Sequence, residues 1–116
     1  MKEYFGKVKK VSDTPFGYTL SLIGGKWKML ILYLLINNQQ LRYNELQREI
    51  GTISYKSLSV QLKELEGDGL ITRREYPQIP PKVEYSITEK GKSLVQIMDA
   101  MCYWGQKYQS SGELTE

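Results

Sequence analysis

The side chains with the clearest chemical signature lie in the segment ISYKSLSVQLKELEGDG, residues 53–69. Leucines recur there at helical spacing and predict one buried stripe, so the other side of the helix should face solvent. That side carries lysines, serines and one valine. It suits a groove of duplex DNA, because lysines contact phosphates, hydroxyls contact base edges and a valine contacts a thymine methyl group. A solvated helix face without a partner is the alternative.

The composition excludes the common catalytic and metal-binding systems. The 116 residues include no histidine and one cysteine, Cys102, so a Ser-His-Asp or Cys-His nucleophile, a histidine-ligated metal and an intrachain disulfide are impossible. The acidic residues are spread rather than paired, and neither G-x-G-x-x-G nor a P-loop occurs. We expect no enzyme and no cofactor. The net charge of +3 permits a nucleic-acid partner without requiring one.

The length is that of one domain, which we place at residues 14–108. The lysine-rich residues 1–13 form an arm that is either flexible or ordered as a strand or helix by a partner subunit. Residues 109–116 form a polar tail that we expect to be flexible. The N-terminus lacks the apolar core of a signal peptide, and the longest apolar run, Met29 to Ile36, is too short to cross a bilayer. A cytoplasmic protein without a membrane partner is expected.

The first helix is predicted to begin at Pro15 and to end at the glycine pair after Ile23. Apolar spacing places Tyr18 and Leu22 on its inward face together with Ile23. This helix should therefore pack on the domain through one side.

The second helix is predicted over Lys26–Asn37, followed by a turn at residues 37–40. It is apolar nearly all round, so we expect it at the buried centre of the fold. Lys26 and Lys28 lie at its N-terminal end, where the helix dipole and the side-chain charges would together favour a phosphate.

A helix-turn-helix is predicted over Asn44–Gly67. After the extended residues Leu41–Tyr43, Asn44 should cap its first helix, with Gln47 at the capping-box position. Ser54 should cap the second helix, residues 54–67, which carries the polar face described above. In a helix-turn-helix the second helix is the one that enters the major groove.

Two strands are predicted directly after this motif, at Leu70–Tyr76 and Val83–Ile87. The loop between them contains three prolines, which stiffen it and prevent it from extending the ladder. Two strands joined by a rigid loop after a helix-turn-helix form a wing, here residues 71–87. The basic residues expected at its tip and flank are Arg73, Arg74 and Lys82.

The last helix is predicted to be capped by Thr88 and to run to about Tyr108. Its apolar face is broader than the core of so small a domain requires. A long apolar helix outside a three-helix core is a natural two-fold dimer surface. Packing on its own domain alone is the other interpretation. Cys102 is expected on the inward face, packed and inert.

Several strings of the sequence closely resemble the HxlR-type winged helix-turn-helix regulators of bacteria and archaea. The most specific are IGGKW, LKELE-x-DGL and PPKVEYS-x-T-x-x-G, and the resemblance covers about residues 14–105. It implies a mainly α fold with a small β-hairpin wing (α+β) and with N- and C-terminal dimerisation helices. It also implies a prokaryotic, nucleoid-associated homodimer that binds DNA and regulates transcription.

Two positions depart from the pattern of these regulators. Many of them have a cysteine just before the proline of the first helix, through which some sense aldehydes, quinones or oxidants, whereas this chain has Thr14. Sensing through that position is chemically impossible here. The second helix of the motif opens with Tyr55, where relatives often have a longer polar residue, so their base preference does not carry over.

The leading hypothesis is sequence-specific binding of double-stranded DNA by a homodimer on an inverted-repeat operator. Successive major grooves, about 34 Å apart, would receive the two copies of the helix. The wing would hold phosphates or probe the minor groove. The expected DNA-binding residues are Tyr55, Lys56, Ser57, Ser59, Val60 and Lys63 from the helix, Arg73, Arg74 and Lys82 from the wing, and Lys26 from the second helix.

Two further hypotheses remain open from the residues alone. The alternative is a winged-helix protein-interaction module, in which the lysine-bearing face is only solvated. The other adds a small-molecule effector to the leading hypothesis, bound near the dimer interface. The aromatic residues that would line its pocket are Trp27, Tyr33, Trp104 and Tyr108.

Overall fold

The computed structural model describes residues 10–109, in which a short 3-10 helix at Val11–Asp13 precedes six α-helices and three strands. Most of the predicted arm and nearly all of the predicted tail therefore lie outside the described residues. The elements are α1 (Pro15–Ile23), α2 (Lys28–Asn38), β1 (Gln40–Arg42), α3 (Tyr43–Ile50), α4 (Tyr55–Gly67), β2 (Ile71–Tyr76), β3 (Lys82–Ile87), α5 (Glu89–Lys92) and α6 (Val95–Tyr108).

The strands form one antiparallel sheet in the order β1-β3-β2. Strand β2 pairs with β3 along its whole length, from Ile71 opposite Ile87 to Tyr76 opposite Lys82. Strand β1 pairs with the other edge of β3, opposite residues 84–86. The prediction of a mainly helical fold with a small β-hairpin wing is confirmed. The segment predicted only as extended supplies a third strand, which makes β3 the central one.

The core lies where α2, α3 and α4 meet the sheet. The leucine stripe predicted on α4 is part of it, as are residues of the turn before α4 and of the start of β2. Burying one such side chain contributes roughly 1.5–3 kcal/mol. The largest fully buried side chains are Ile31, Leu32, Leu35, Leu46, Ile53, Leu58, Leu62, Leu65, Leu70 and Ile71.

Helix α2 is buried on one side only, so the prediction that it is the buried centre of the fold holds for that side and fails for the other. Ile31, Leu32 and Leu35 are fully buried, whereas Leu30 and Tyr33 are each 47% exposed. The apolar residues of this helix therefore belong to two different surfaces. One side packs on α3, α4 and the sheet, and the other side faces solvent.

Both ends of α2 differ from the prediction. The helix begins at Lys28 rather than at Lys26, and it continues through Asn38 into the segment predicted as a turn. The turn is completed by Gln39, which has a positive φ of 65°. The glycine pair ends α1 as expected, and Gly25 adopts a φ of 93° that other residues rarely adopt.

Helix α1 is capped by Thr14, whose hydroxyl accepts from the Gly17 amide (2.9 Å) and donates to the Val11 carbonyl (2.6 Å). A Cβ at Gly17 would lie 2.0 Å from that carbonyl oxygen, so the glycine lets residues 11–13 pack on α1. Tyr18 is exposed, contrary to the prediction. Only one side of α1 touches the core, and Ile23 is its buried apolar residue.

The cap of helix α3 lies two residues earlier than predicted, so the helix begins at Tyr43 and Asn44 is not its cap. The N-cap position is Arg42, whose backbone N–H donates to the Glu45 carboxylate at 2.8 Å. A carboxylate in the first turn satisfies an otherwise unpaired amide and favours the positive end of the helix dipole. This is the reason that the helix starts before the asparagine.

The predicted last helix is two helices, α5 and α6, separated by residues 93–94. Thr88 caps the first of them as predicted, since its hydroxyl accepts from the Gly91 amide at 3.0 Å. A Cβ at Gly91 would lie 2.3 Å from the Leu70 carbonyl oxygen, so this turn is pressed against the start of β2. The i→i+3 bond from the Leu94 amide to the Gly91 carbonyl (3.1 Å) then tightens the chain and redirects it into α6.

Among residues 10–109, no single helix is long and apolar enough to span a membrane, and α1 and α2 satisfy length and composition only as a pair bent by 74°. Over the same residues, no group of three or more His, Cys, Asp or Glu side chains is placed to hold a metal ion.

Candidate nucleic-acid interface

Helix α4 presents the two faces that the sequence predicts. Ser54 caps it by accepting from the Ser57 amide at 3.0 Å, and Ser57 is half-buried. The leucine stripe is buried, and the opposite face is solvent-exposed along its whole length. The exposed residues of that face are Tyr55, Lys56, Ser59, Val60 and Lys63.

An ion pair and a hydrogen bond attach α4 to the rest of the domain. Lys28 Nζ lies 2.7 Å from Glu64 Oε1, and the lysine side chain is only 11% exposed. Lys28 is therefore an anchor between α2 and α4, and the phosphate role predicted for it was wrong. On the other side, the Gln47 side-chain amide donates to the Ile53 carbonyl at 3.0 Å and fixes the turn of the motif.

Tyr43, which sequence reasoning did not single out, joins α3 to the exposed face of α4. Its ring stacks on Tyr55 with centroids 5.9 Å apart and an interplanar angle of 5°. Its hydroxyl donates to the Tyr55 carbonyl at 2.8 Å and also lies 2.9 Å from Ser59 Oγ. Since Tyr43 precedes the helix-turn-helix turn by eight residues, only the fold brings it to α4.

Arg73 shares a groove with the exposed face of α4. The groove has a volume of about 290 Å³ and lies between the helix and the wing. A hydrogen bond with Tyr85, opposite Arg73 on β3, raises the pKa of this guanidinium from its ordinary value, and Glu75 adds to the effect. Arg73 is thus always charged. The residues lining the groove are Ser59, Val60, Leu62, Lys63, Glu66, Arg73 and Tyr85.

Arg74 and Lys82 lie on the other face of the sheet, so the three basic wing residues do not form one cluster. Both cations rest on the Tyr76 ring, at 4.8 Å and 4.6 Å from its centroid. Lys82 is also 3.2 Å from Glu84, which neutralises much of its charge. The Tyr76 hydroxyl, donating to Glu84 at 2.9 Å, and the neighbouring Lys82 lower the pKa of Glu84 from its ordinary value.

The wing loop carries an apolar side chain at its tip. Ile79 lies between Pro77 and the Pro80-Pro81 pair and is 99% exposed. This side chain therefore projects into solvent. Lys26 is likewise exposed and precedes α2, with its ammonium group 4.7 Å above the Trp27 ring.

Away from the exposed face of α4, helices α1, α2 and α6 together expose an apolar face. Cys102 is exposed there, so the prediction that it is packed on the inward face of the last helix was wrong. Met98 is the buried residue of α6, and the remaining apolar side chains of this helix point outward or lie at the margin. The most exposed large side chains of this apolar face are Phe16, Leu20, Leu30, Tyr33, Ile97, Met101, Trp104 and Tyr108.

The aromatic residues predicted to line an effector pocket do not share one cavity. Tyr33 lines a hollow with Met98. Trp104 and Tyr108 lie nearer the C-terminal end of α6, with their ring centroids 5.0 Å apart. Trp27 packs at the edge of the core. A larger hollow of about 520 Å³ lies between α1 and α6, and its walls are mostly aliphatic.

The sequence profile of the HxlR-like helix-turn-helix family matches residues 22–113 of this chain. An uncharacterized HTH-type transcriptional regulator of Halalkalibacterium halodurans is 64% identical over 111 residues, which cover 96% of this chain and 98% of the relative. The match thus extends over nearly the whole of both proteins.

Two solved structures superpose closely. The redox regulator HypR in its reduced form has a TM-score of 0.79 and 43% identity over 86% of this chain and 98% of HypR. The reduced transcriptional regulator YodB from B. subtilis has a TM-score of 0.72 and 32% identity over 90% of this chain and 96% of YodB. This chain therefore has the same overall fold as these two regulators.

Proposed function

Because the chain belongs to the HxlR-like helix-turn-helix family, whose relatives are transcriptional regulators, we propose that it binds an inverted-repeat DNA operator as a homodimer. The observation that carries this proposal is the exposed face of α4 with Arg73 beside it. Hydrogen-bonding and positively charged side chains line the groove between α4 and the wing, while the buried leucines on the opposite side of α4 anchor the helix in the core. Such a protein would act in the cytoplasm, on the nucleoid.

Helix α4 would lie in the major groove and read base edges through Ser57, Ser59 and Val60. Lys56, Lys63 and the Tyr55 hydroxyl would contact phosphates on either side of the groove. Arg73 and the exposed face of α4 line the same groove of the protein. A phosphate or base contact made by Arg73 would therefore lie next to the contacts made by the helix. These contacts are the proposed specificity-bearing part of the interface.

The wing would reach the adjacent minor groove. Arg74 and Lys82 lie on the face of the hairpin turned away from α4, where phosphates of the next groove would pass, and Arg74 carries the more available charge. Ile79 at the tip is placed to insert an apolar side chain between the groove walls. Lys26 would add a backbone contact from the start of α2.

Dimerisation would bury the apolar face formed by α1, α2 and α6. Monomeric proteins rarely expose so many large apolar side chains together. In a two-fold dimer the apolar face of each subunit would cover the same face of the other. The same contact would hold the two copies of α4 at a fixed spacing of about 34 Å, one turn of the duplex.

The proposal includes an apolar effector at the dimer interface. The hollow between α1 and α6 has room for a small molecule, and the partner's helices would close it. Thiol sensing at position 14 is not part of the proposal, because the Thr14 hydroxyl caps α1 and has no redox chemistry.

The test is selection of bound duplexes from a random pool by the purified full chain. We expect an inverted repeat whose half-sites are centred about one helical turn apart. A selected pool without sequence enrichment would contradict the proposal and favour the alternative, a winged-helix module that binds proteins.

A further inference from the structure

We infer that Tyr43 fixes the Ser59 hydroxyl as a hydrogen-bond acceptor toward the major groove, so that α4 selects a base with an exposed amino group, adenine or cytosine. This inference rests on the proposed function, because it concerns what the same helix reads. It assigns Tyr43 as a positioning residue and gives the contact of Ser59 a definite polarity.

The polarity follows from counting hydrogens. Tyr43 has one hydroxyl hydrogen and two neighbours within hydrogen-bond distance, the Tyr55 carbonyl at 2.8 Å and Ser59 Oγ at 2.9 Å. A carbonyl oxygen can only accept, so the tyrosine hydrogen goes to Tyr55. Both bonds exist together only if Ser59 donates its own hydrogen to the tyrosine oxygen.

The arrangement is held by packing as well as by hydrogen bonds. The Tyr43 ring is half-buried and lies parallel to the Tyr55 ring, 5.9 Å from it, which restricts its movement. The carbonyl that takes its hydrogen belongs to the first turn of α4 itself. The tyrosine oxygen therefore remains in place opposite Ser59 when the helix docks.

A serine whose hydrogen is occupied offers only lone pairs to a ligand. In the major groove, adenine N6 and cytosine N4 present amino donors, whereas guanine O6 and thymine O4 present acceptors. Ser59 is exposed and lines the groove next to Val60 and Lys63, so it can reach a base edge. An unconstrained serine would accept or donate equally well, so Tyr43 is what makes this position selective.

The first experiment compares duplex selections by the wild type, Ser59→Ala and Tyr43→Phe. We expect one half-site position that is adenine or cytosine for the wild type and loses its preference in Ser59→Ala. In Tyr43→Phe that position should also admit guanine and thymine, because the freed serine hydrogen can now be donated. The other positions should be unchanged. Tyr103→Phe, which removes a hydroxyl on α6, is the matched control.

The second experiment does not depend on the folding of Tyr43→Phe. At the position identified by Ser59→Ala, the selected base is replaced by an analogue without its exocyclic amino group, purine for adenine or 2-pyrimidinone for cytosine. The wild type should bind roughly five- to tenfold more weakly, the effect of removing one hydrogen bond, and Ser59→Ala should not change.

The outcomes separate the inference from the proposed function. Selection of guanine or thymine at that position, an unchanged preference in folded Tyr43→Phe, or indifference of the wild type to the analogue would each overturn the inference while leaving an operator-binding protein. Failure of the wild type to enrich any sequence would overturn the proposed function first.

Discussion

At the scale of single residues, the sequence predicts which side chains are charged but not which charges are available to a ligand. Lys26 and Lys28 are equivalent in the sequence, yet the first is exposed and the second is nearly buried against Glu64. Arg74 and Lys82 differ in the same way. Glu84 lies opposite Arg74 on β3, but its carboxylate forms an ion pair with Lys82, at 3.2 Å. These partners are set by the fold, so no local pattern could reveal them.

The available lysines of α4 should dominate the salt dependence of DNA binding. The double substitution Lys56→Ala with Lys63→Ala removes two proposed phosphate contacts from each protomer. We expect weaker binding and a smaller dependence of the logarithm of affinity on the logarithm of salt concentration, by about 0.9 for each phosphate that is no longer neutralised. Measurement of operator affinity over a salt series checks this. Lys92→Ala, which removes one positive charge on α5, is a control that should leave the slope unchanged.

Glu84 should make the stability of the fold depend on pH in the acidic range. Its pKa is lowered from the ordinary value of 4.5 in the folded chain, so its ionised form stabilises the fold fully above that pH and progressively less as pH falls through the lowered pKa. Glu84→Gln should reduce the free energy of unfolding at neutral pH, and the difference from the wild type should shrink in acid.

Urea unfolding measured from neutral pH down through the acidic range tests this prediction. A constant difference between Glu84→Gln and the wild type at every pH would contradict it. Glu49→Gln, which changes an exposed carboxylate on α3, serves as a control and should have little effect on stability at neutral pH.

At the scale of elements, hydrophobic period and capping residues predict most of the fold. The Ser54 cap, the leucine stripe of α4, the Thr88 cap and the two wing strands agree with the structure within one residue. The start of α3 was missed because the Glu45 carboxylate selects an earlier cap than the asparagine would. The third strand was missed because three extended residues gain their pairing only from β3.

The break between α5 and α6 is a tertiary effect, and Gly91 should be essential to it. Gly91→Ala places a Cβ against the Leu70 carbonyl oxygen and the Ile87 side chain. We expect a loss of about 1–3 kcal/mol in the free energy of unfolding, because the backbone at Leu70 cannot move away without disturbing the start of β2. Gly67→Ala meets no atom within 4 Å and should be nearly neutral. Equal stability of the two variants in urea would show that this contact is not tight.

At the scale of the whole molecule, the exposed apolar face explains why three helices are apolar on sides that the protomer does not bury. The sequence suggested this surplus for the last helix, and the structure extends it to α1 and α2. Sequence periodicity could not separate the side of a helix that packs on the core from an apolar side that stays exposed, since the two have the same residue types. The exposure of Tyr33 and Cys102 has this same origin.

The apolar face should set the oligomeric state. Trp104→Glu puts a charge at an exposed position of α6, so each protomer should still fold, while the dimer should dissociate. Sedimentation equilibrium should give the mass of a dimer for the wild type and of a monomer for the variant. Gln106→Glu, an equal change in charge on the same helix, should remain dimeric. A dimeric Trp104→Glu would place the interface elsewhere.

The central claim is that paired end-helices hold two copies of α4 at a fixed distance along one side of a duplex. The most direct test measures binding to the selected operator after insertion of about five base pairs, half a helical turn, between its half-sites. The account predicts a large loss of affinity, with partial recovery after a full turn is inserted if the duplex bends. Equal affinity at every spacing, or a single half-site bound as tightly as the pair, would contradict it.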